Sequence, residues 1–215
     1  MRIIECEQGS DEWKAARVGR VTASRVADIV AKGESGPSAS RANYLAEIVC
    51  ELLTGESAEN TIDTHAMKWG RDQEEHARRL YGFMHDAPVA KVGLVLHPTI
   101  DGAAASPDGL VGDDGLVQFK CPQLAAHIAM LRTGSIDGRY LKQMQWEMAC
   151  TGRIWCDFVS FNPKMPPEMQ LFRKRIRRDA PMVVELETAV REFISEAHAT
   201  VDDLRKTCAI GEEAA

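Results

Sequence analysis

The chain has 215 residues, 45% of them hydrophobic and 27% charged, with a net charge of −6. That length suits one α/β domain with a sizeable core, so a single domain spanning residues 1–215 is expected. No apolar run reaches the roughly 18 residues that a membrane helix needs, so no membrane association is expected. The start, Met1-Arg2-Ile3-Ile4-Glu5-Cys6-Glu7, has an early acid and no apolar stretch of the secretory type. Cysteines at 6, 50, 121, 150, 156 and 208 form no CxxC pair and no zinc spacing with the histidines. Reduced thiols and a cytoplasmic location follow as expectations. The acidic balance argues only weakly against nucleic acid, because binding follows the local distribution of charge.

Ser10 to Val18 is predicted as a short helix, capped by Ser10, with Trp13 and Arg17 one turn apart on one face. Thr22 to Ala31 is predicted as a second helix and Ser40 to Leu53 as a third. Between them Lys32-Gly33-Glu34-Ser35-Gly36-Pro37-Ser38 is a loop by composition. Asp63 to Tyr81 is a long charged helix, weakened by Gly70. The period then changes. Val89 to Leu96, Ile100 to Ala105 and Gly115 to Cys121 are strand-like, with Pro122 ending the last. Gln123 to Arg132 and Arg139 to Cys150 are helical; Ile154 to Phe161 and Met169 to Ile176 are strands. A final helix runs from Pro181, the favoured proline position, to about Lys206. This order gives the α/β class, a central mixed sheet flanked by helices.

The stretch that carries chemistry is Ser106-Pro107-Asp108-Gly109, followed by Gln118-Phe119-Lys120-Cys121-Pro122. Asp108 sits in a turn between a proline that fixes φ and a glycine that relaxes it. Residues 118 and 120 are two apart on a strand, so they share a face, and Asp108 converges on that face if the two segments form a hairpin. Phosphodiester cleavage needs oxygen ligands that hold Mg²⁺ against a phosphate, and a group that orients or deprotonates water. Taken separately, Pro-Asp-Gly is an ordinary turn and Gln-Phe-Lys an ordinary strand.

Taken with their neighbours, these motifs resemble the phage lambda exonuclease and YqaJ-type viral recombinase family, within the PD-(D/E)XK nucleases. Glu7-Gln8-Gly9-Ser10-Asp11-Glu12-Trp13 and Arg17-Val18-Gly19-Arg20-Val21-Thr22-Ala23-Ser24 look like its N-terminal signature. Trp69-Gly70 through Glu74 and Ala77-Arg78 look like its central helix. Tyr140, Gln143 and Gln145 match its later helix. The resemblance spans about Ile4 to Glu196. It implies a restriction-endonuclease-like core and 5′→3′ degradation of one strand of duplex DNA from its ends, leaving 3′ tails. It also implies a toroidal homotrimer, a single-strand annealing protein as partner in recombination, and a phage or prophage origin. Two Mg²⁺ ions, or Mn²⁺ in their place, are implied at Asp108, residue 118 and the Phe119 backbone carbonyl. Lys120, Glu74 and Gln143 are implied as further catalytic residues, and Arg17 and Ser24 as ligands of the 5′-terminal phosphate.

The departure is at 118, where the family has glutamate and this chain has Gln118. Glutamine is nearly isosteric but neutral, and losing a charge beside a divalent ion weakens the site. Gln118 reads as an engineered Glu-to-Gln change that keeps folding and DNA binding while impairing turnover; a naturally degenerate paralogue is the alternative. A chain with such a site could also be a non-enzymatic DNA-end clamp, or another PD-(D/E)XK nuclease.

Each remaining candidate has a plainer alternative. Arg17 alone reads as a solvated helix arginine, Ser24 as a cap, Glu74 as a surface acid and Gln143 as a surface amide. Trp13 and Met67 are a wedge that splits the duplex end, or core. Trp69, Trp146 and Trp155 are assigned to the core. The basic run Arg173-Lys174-Arg175-Ile176-Arg177-Arg178 contacts phosphates, or is a solvated edge strand whose charges block pairing.

Overall fold

The computed structural model describes residues 1–33, 36–58 and 65–213, the side chains of 65–67 and 209–213 excepted. Strand β1 (Arg2–Ile4) leads to helix α1 (Asp11–Arg17), where the Ser10 hydroxyl accepts from the Trp13 amide at 3.2 Å, the cap that the sequence predicts. The expected helix from Thr22 does not form. Val21–Thr22 is strand β2, drawn into parallel pairing with Ala103 and Ala104. A 3-10 turn (Ala23–Arg25) and the single turn of α2 (Val26–Ile29) follow.

Strands β3 (Lys32–Gly33) and β4 (Gly36–Pro37) pair inside the expected loop. Helix α3 (Ala39–Thr54) is capped by Ser38 and ends on Gly55 at φ 72°. Helix α4 covers His65–His85; the predicted start at Asp63 lies outside the described residues. The expected strand 89–96 divides into β5 (Val89–Ala90) and β6 (Leu94–Leu96), which enter different sheets. Gly93 lies at the break, where a Cβ would run into the backbone of Ile4 and Cys6. Then come β7 (Ala103–Ala105), β8 (Gly109–Val111), β9 (Gly115–Lys120), α5 (Leu124–Thr133), α6 (Gly138–Thr151), β10 (Trp155–Phe161), β11 (Leu171–Arg177) and α7 (Ala180–Glu213).

The strands form a four-stranded sheet, β1-β6-β7-β2, and a five-stranded sheet, β11-β10-β9-β8-β5. Both are mixed: β2–β7 and β9–β10 are parallel, and the other pairs in these sheets antiparallel. A parallel pair needs a crossover, and α5 and α6 supply it between β9 and β10. This is the α/β architecture that the sequence predicts.

Helix α6 is buried from Met144 through Cys150, as a helix enclosed on several sides must be. Trp146 anchors it, with its indole N–H on the Ala104 carbonyl at 3.2 Å and its ring stacked on His97. The other two tryptophans assigned to the core are only half-buried. Arg175 lies over the Trp155 ring at 3.5 Å, and Lys164 over the Trp69 ring at 5.2 Å. All six cysteines are free thiols. Among the described residues no helix is long and apolar enough to cross a membrane.

Candidate active site

The hairpin needed to bring Asp108 to the strand face is present. β8 pairs antiparallel with β9, Gly109 opposite Val117, which sets Asp108 against Gln118. Gly109 serves close approach rather than an unusual φ: a Cβ there would collide with Val89 and press on Val117. The turn is held from two directions. The Gln8 amide donates to the Pro107 carbonyl at 2.9 Å and to the Val92 carbonyl at 2.8 Å. Arg78 donates to the Asp108 carbonyl with one guanidinium nitrogen and to Glu74 Oε1 at 2.7 Å with another. Neither Gln8 nor Arg78 was assigned a role from sequence, since their partners lie 99 and 30 residues away.

Asp108 Oδ2 accepts from the Phe119 amide at 2.7 Å and from the Gln118 side-chain amide. Burial raises this carboxyl from its ordinary 3.8 to about 7, with the Glu74 charge adding to the effect; Lys120, the Phe119 N–H and Arg78 oppose it. Gln118 is 2% exposed. Its oxygen accepts from Gln143 Nε2 at 3.1 Å, and the same nitrogen donates to Glu147 Oε1 at 2.9 Å. Glu147 is fully buried, and burial with the Asp108 charge raises its carboxyl to about 8, against the Gln143 bond and Lys120. No role was assigned to Glu147 from sequence either: inside Met144–Cys150 it looks like one more position on a buried helix.

Lys120 shares the face of Gln118 and lies 4.9 Å from the Tyr140 ring centroid. Phe119 points the opposite way, edge-on to Tyr81. Asp108, Gln118, Lys120 and Gln143 are therefore brought together, with Glu74 reaching the turn through Arg78.

The N-terminal candidates border this cluster. Trp13 is not core: its indole N–H donates to the Ser106 hydroxyl at 2.8 Å, two residues before Asp108, and its ring carries Arg17 at 4.0 Å. Arg17 lines a small cleft with Lys14, Arg20 and Tyr44. The acids bordering that cleft are engaged, Glu51 with the Gly19 and Ala58 amides and Glu47 with Arg25. Ser24 stands exposed on the 3-10 turn. The side chain of Met67 lies outside the described residues.

The basic run forms edge strand β11, where Arg173 and Arg175 pair with buried Asp157 at 3.1 and 2.8 Å. Two of its charges are thus used inside the fold.

A mixed sheet with an aspartate turn set against a strand that ends in lysine defines a restriction-endonuclease-like fold. A model of the YqaJ-like viral recombinase domain matches residues 12–154, and the chain belongs to that family. It is 48% identical to an alkaline exonuclease from Laribacter hongkongensis, over 93% of this chain and 98% of that one, with a TM-score of 0.86. Against the same exonuclease in complex with dAMP the identity and coverage are the same and the TM-score is 0.87. A phage related exonuclease from Haemophilus somnus 129PT shares the fold at 18% identity, 88% and 96% coverage and a TM-score of 0.64. A comparison with curated proteins finds no match.

Proposed function

We propose that this chain, acting as one domain, is a divalent-metal-dependent exonuclease that degrades one strand of linear duplex DNA in the 5′→3′ direction. One observation carries the reading: half-buried Asp108 sits in a polar cluster whose direct partners are amides, with Lys120 on the same face. A cation is the partner that such a carboxylate lacks. Among the described residues no three His, Cys, Asp or Glu side chains gather to cage a metal. Mg²⁺ takes one or two carboxylates and completes its shell with water and substrate phosphate, a requirement that Asp108 begins to meet. Asp108, the Gln118 side-chain oxygen and the Phe119 carbonyl would hold it, with Mn²⁺ able to substitute and two ions per site. When bound, the metal supplies Lewis acidity at the phosphate and a more acidic water.

Lys120 orients the attacking water and offsets charge developing on the phosphate. Gln143 fixes the Gln118 oxygen, and Glu74 restrains Arg78 and through it the Asp108 turn. Arg17 forks onto the 5′-terminal phosphate, aided by Ser24. Trp13, tied to Ser106, forms with Met67 the wedge at the duplex end. With Gln118 neutral, turnover is impaired unless another carboxylate serves the ion. The dAMP complex of the Laribacter hongkongensis relative supports a mononucleotide product. Family membership supports a toroidal homotrimer, a single-strand annealing partner and work in the bacterial cytoplasm.

The test is a linear duplex labelled at one 5′ or one 3′ end and incubated with Mg²⁺. The reading expects early release of the 5′ label, blocked by chelator. Early release of the 3′ label, or release without metal, overturns it. Gln118 favours a second reading, a DNA-end clamp, whose signature is end binding with no release under any divalent metal.

A further inference from the structure

Glu147 lies one turn beyond Gln143 on α6 and is 0% exposed. One of its oxygens accepts from Gln143; the other, Oε2, is buried and has no hydrogen-bond partner. The Gln143 nitrogen that binds Glu147 also donates to the Gln118 oxygen, and Gln118 in turn donates to Asp108. An unbroken line of side chains thus joins half-buried Asp108 to fully buried Glu147, and both links between them are neutral amides. The N–H₂ of Gln143 lies between an oxygen of Gln118 and one of Glu147, a place where positive charge is favoured.

A purely structural role accounts poorly for this acid. A leucine or methionine would fill the helix position between Trp146 and Met148 without desolvating a carboxylate, and without leaving an oxygen unmatched. Where this fold buries other acids it matches both oxygens: Asp157 has two arginines and a tyrosine hydroxyl, and Glu51 has the Gly19 and Ala58 amides.

We infer that Glu147 is the second carboxylate of the metal site, delivered from helix α6 in place of the acid absent from strand β9 at Gln118. The inference rests on the reading of Asp108 as an ion ligand. Two carboxylates then serve the ion, within the one or two that Mg²⁺ takes. Gln118 then adds a neutral oxygen beside them, and its presence leaves the chain active.

The test is calorimetric titration of MnCl₂ into the whole chain near pH 8 without DNA, followed by nucleotide release from duplex ends. Glu147→Gln should weaken Mn²⁺ at least tenfold and slow release about a hundredfold. Gln118→Glu combined with Glu147→Gln returns a carboxylate to the strand and should recover both within tenfold. Unchanged Mn²⁺ affinity in Glu147→Gln, with affinity lost in Asp108→Asn, overturns the inference and leaves the metal site at Asp108. Unchanged affinity in Asp108→Asn overturns the metal site itself. If Glu147→Gln does not fold, the double variant decides: parent-like affinity supports Glu147, and affinity weakened tenfold overturns it.

Discussion

Acids at two places against the five-stranded sheet are held in opposite ways. Asp157 on β10 accepts four hydrogen bonds, from Arg175 at 2.8 and 2.9 Å, Arg173 at 3.1 Å and the Tyr81 hydroxyl at 2.8 Å. Burial pushes its pKa up, but Arg175, Tyr81 and the paired charges win and hold it below the usual carboxylate range. Asp108, at the head of β8 two strands away, receives a backbone amide and a glutamine, and its pKa rises to about 7. Glu147, linked to it through Gln143, rises to about 8. The first acid has its counter-charge built in and belongs to the fold. The second pair has Lys120 and, for Asp108, Arg78 nearby but no direct ion pair among the described residues, and burial prevails; acids perturbed in this way mark candidate ligand sites.

Substitutions on the two sides should therefore separate activity from stability. Lys120→Ala should slow nucleotide release by about a hundred- to a thousandfold, roughly 3–4 kcal/mol of transition-state stabilisation, with little change in melting temperature. Steady-state assay and thermal denaturation of the same sample check this, and a near-normal rate removes Lys120 from the chemistry. Asp157→Asn should do the reverse. It breaks a charged network whose arginines can still reach water, so it should destabilise by about 2–3 kcal/mol and spare the rate per folded molecule.

The two sites should also respond to pH with opposite signs. Between its ordinary 3.8 and about 7, folded Asp108 holds a proton that the unfolded chain has released. Its contribution to stability is therefore present at low pH and lost as pH rises through that window; Glu147 extends the fall to about 8. Asp157, with its pKa lowered, contributes stability above its ordinary value and loses it as pH falls. His85 and His97, both lowered by burial, oppose the Asp108 trend. The signal should accordingly be read as the difference between the parent and Asp108→Asn. That difference should move against the parent by about 2 kcal/mol between pH 5 and 8 in chelator, and a flat or opposite slope would show that Asp108 is compensated.

The smallest effect concerns the end of the substrate. Arg17→Ala should reduce the preference for a 5′-phosphate over a 5′-hydroxyl about tenfold, or roughly 1.5 kcal/mol. Equal slowing of both substrates would instead assign Arg17 to general DNA affinity or to its packing on Trp13.

What was legible in the sequence is what depends on near neighbours. The Ser10 cap, the Asp108–Gln118 hairpin and the shared face of Gln118 and Lys120 follow from turn residues and strand alternation. What failed depends on distant partners. Thr22 was expected in a helix, but parallel pairing of β2 with β7 overrides local propensity. Trp155 was expected in the core, yet it lies over Gly115, half-buried under Arg175, its N–H on Asp114. Glu147 was missed because no spacing distinguishes a buried acid that faces a site from any other buried helix position; only its unmatched oxygen does so.

The proposed metal-dependent site for cleaving duplex ends is built on Asp108. Nucleotide release from a linear, 5′-phosphorylated duplex, compared among the parent, Asp108→Asn and Asp157→Asn at equal folded concentration, tests it most directly. Mg²⁺-dependent release is expected from the parent, release within severalfold of it from Asp157→Asn, and a loss of about a thousandfold or more in Asp108→Asn. Release by Asp108→Asn within tenfold of the parent would contradict it.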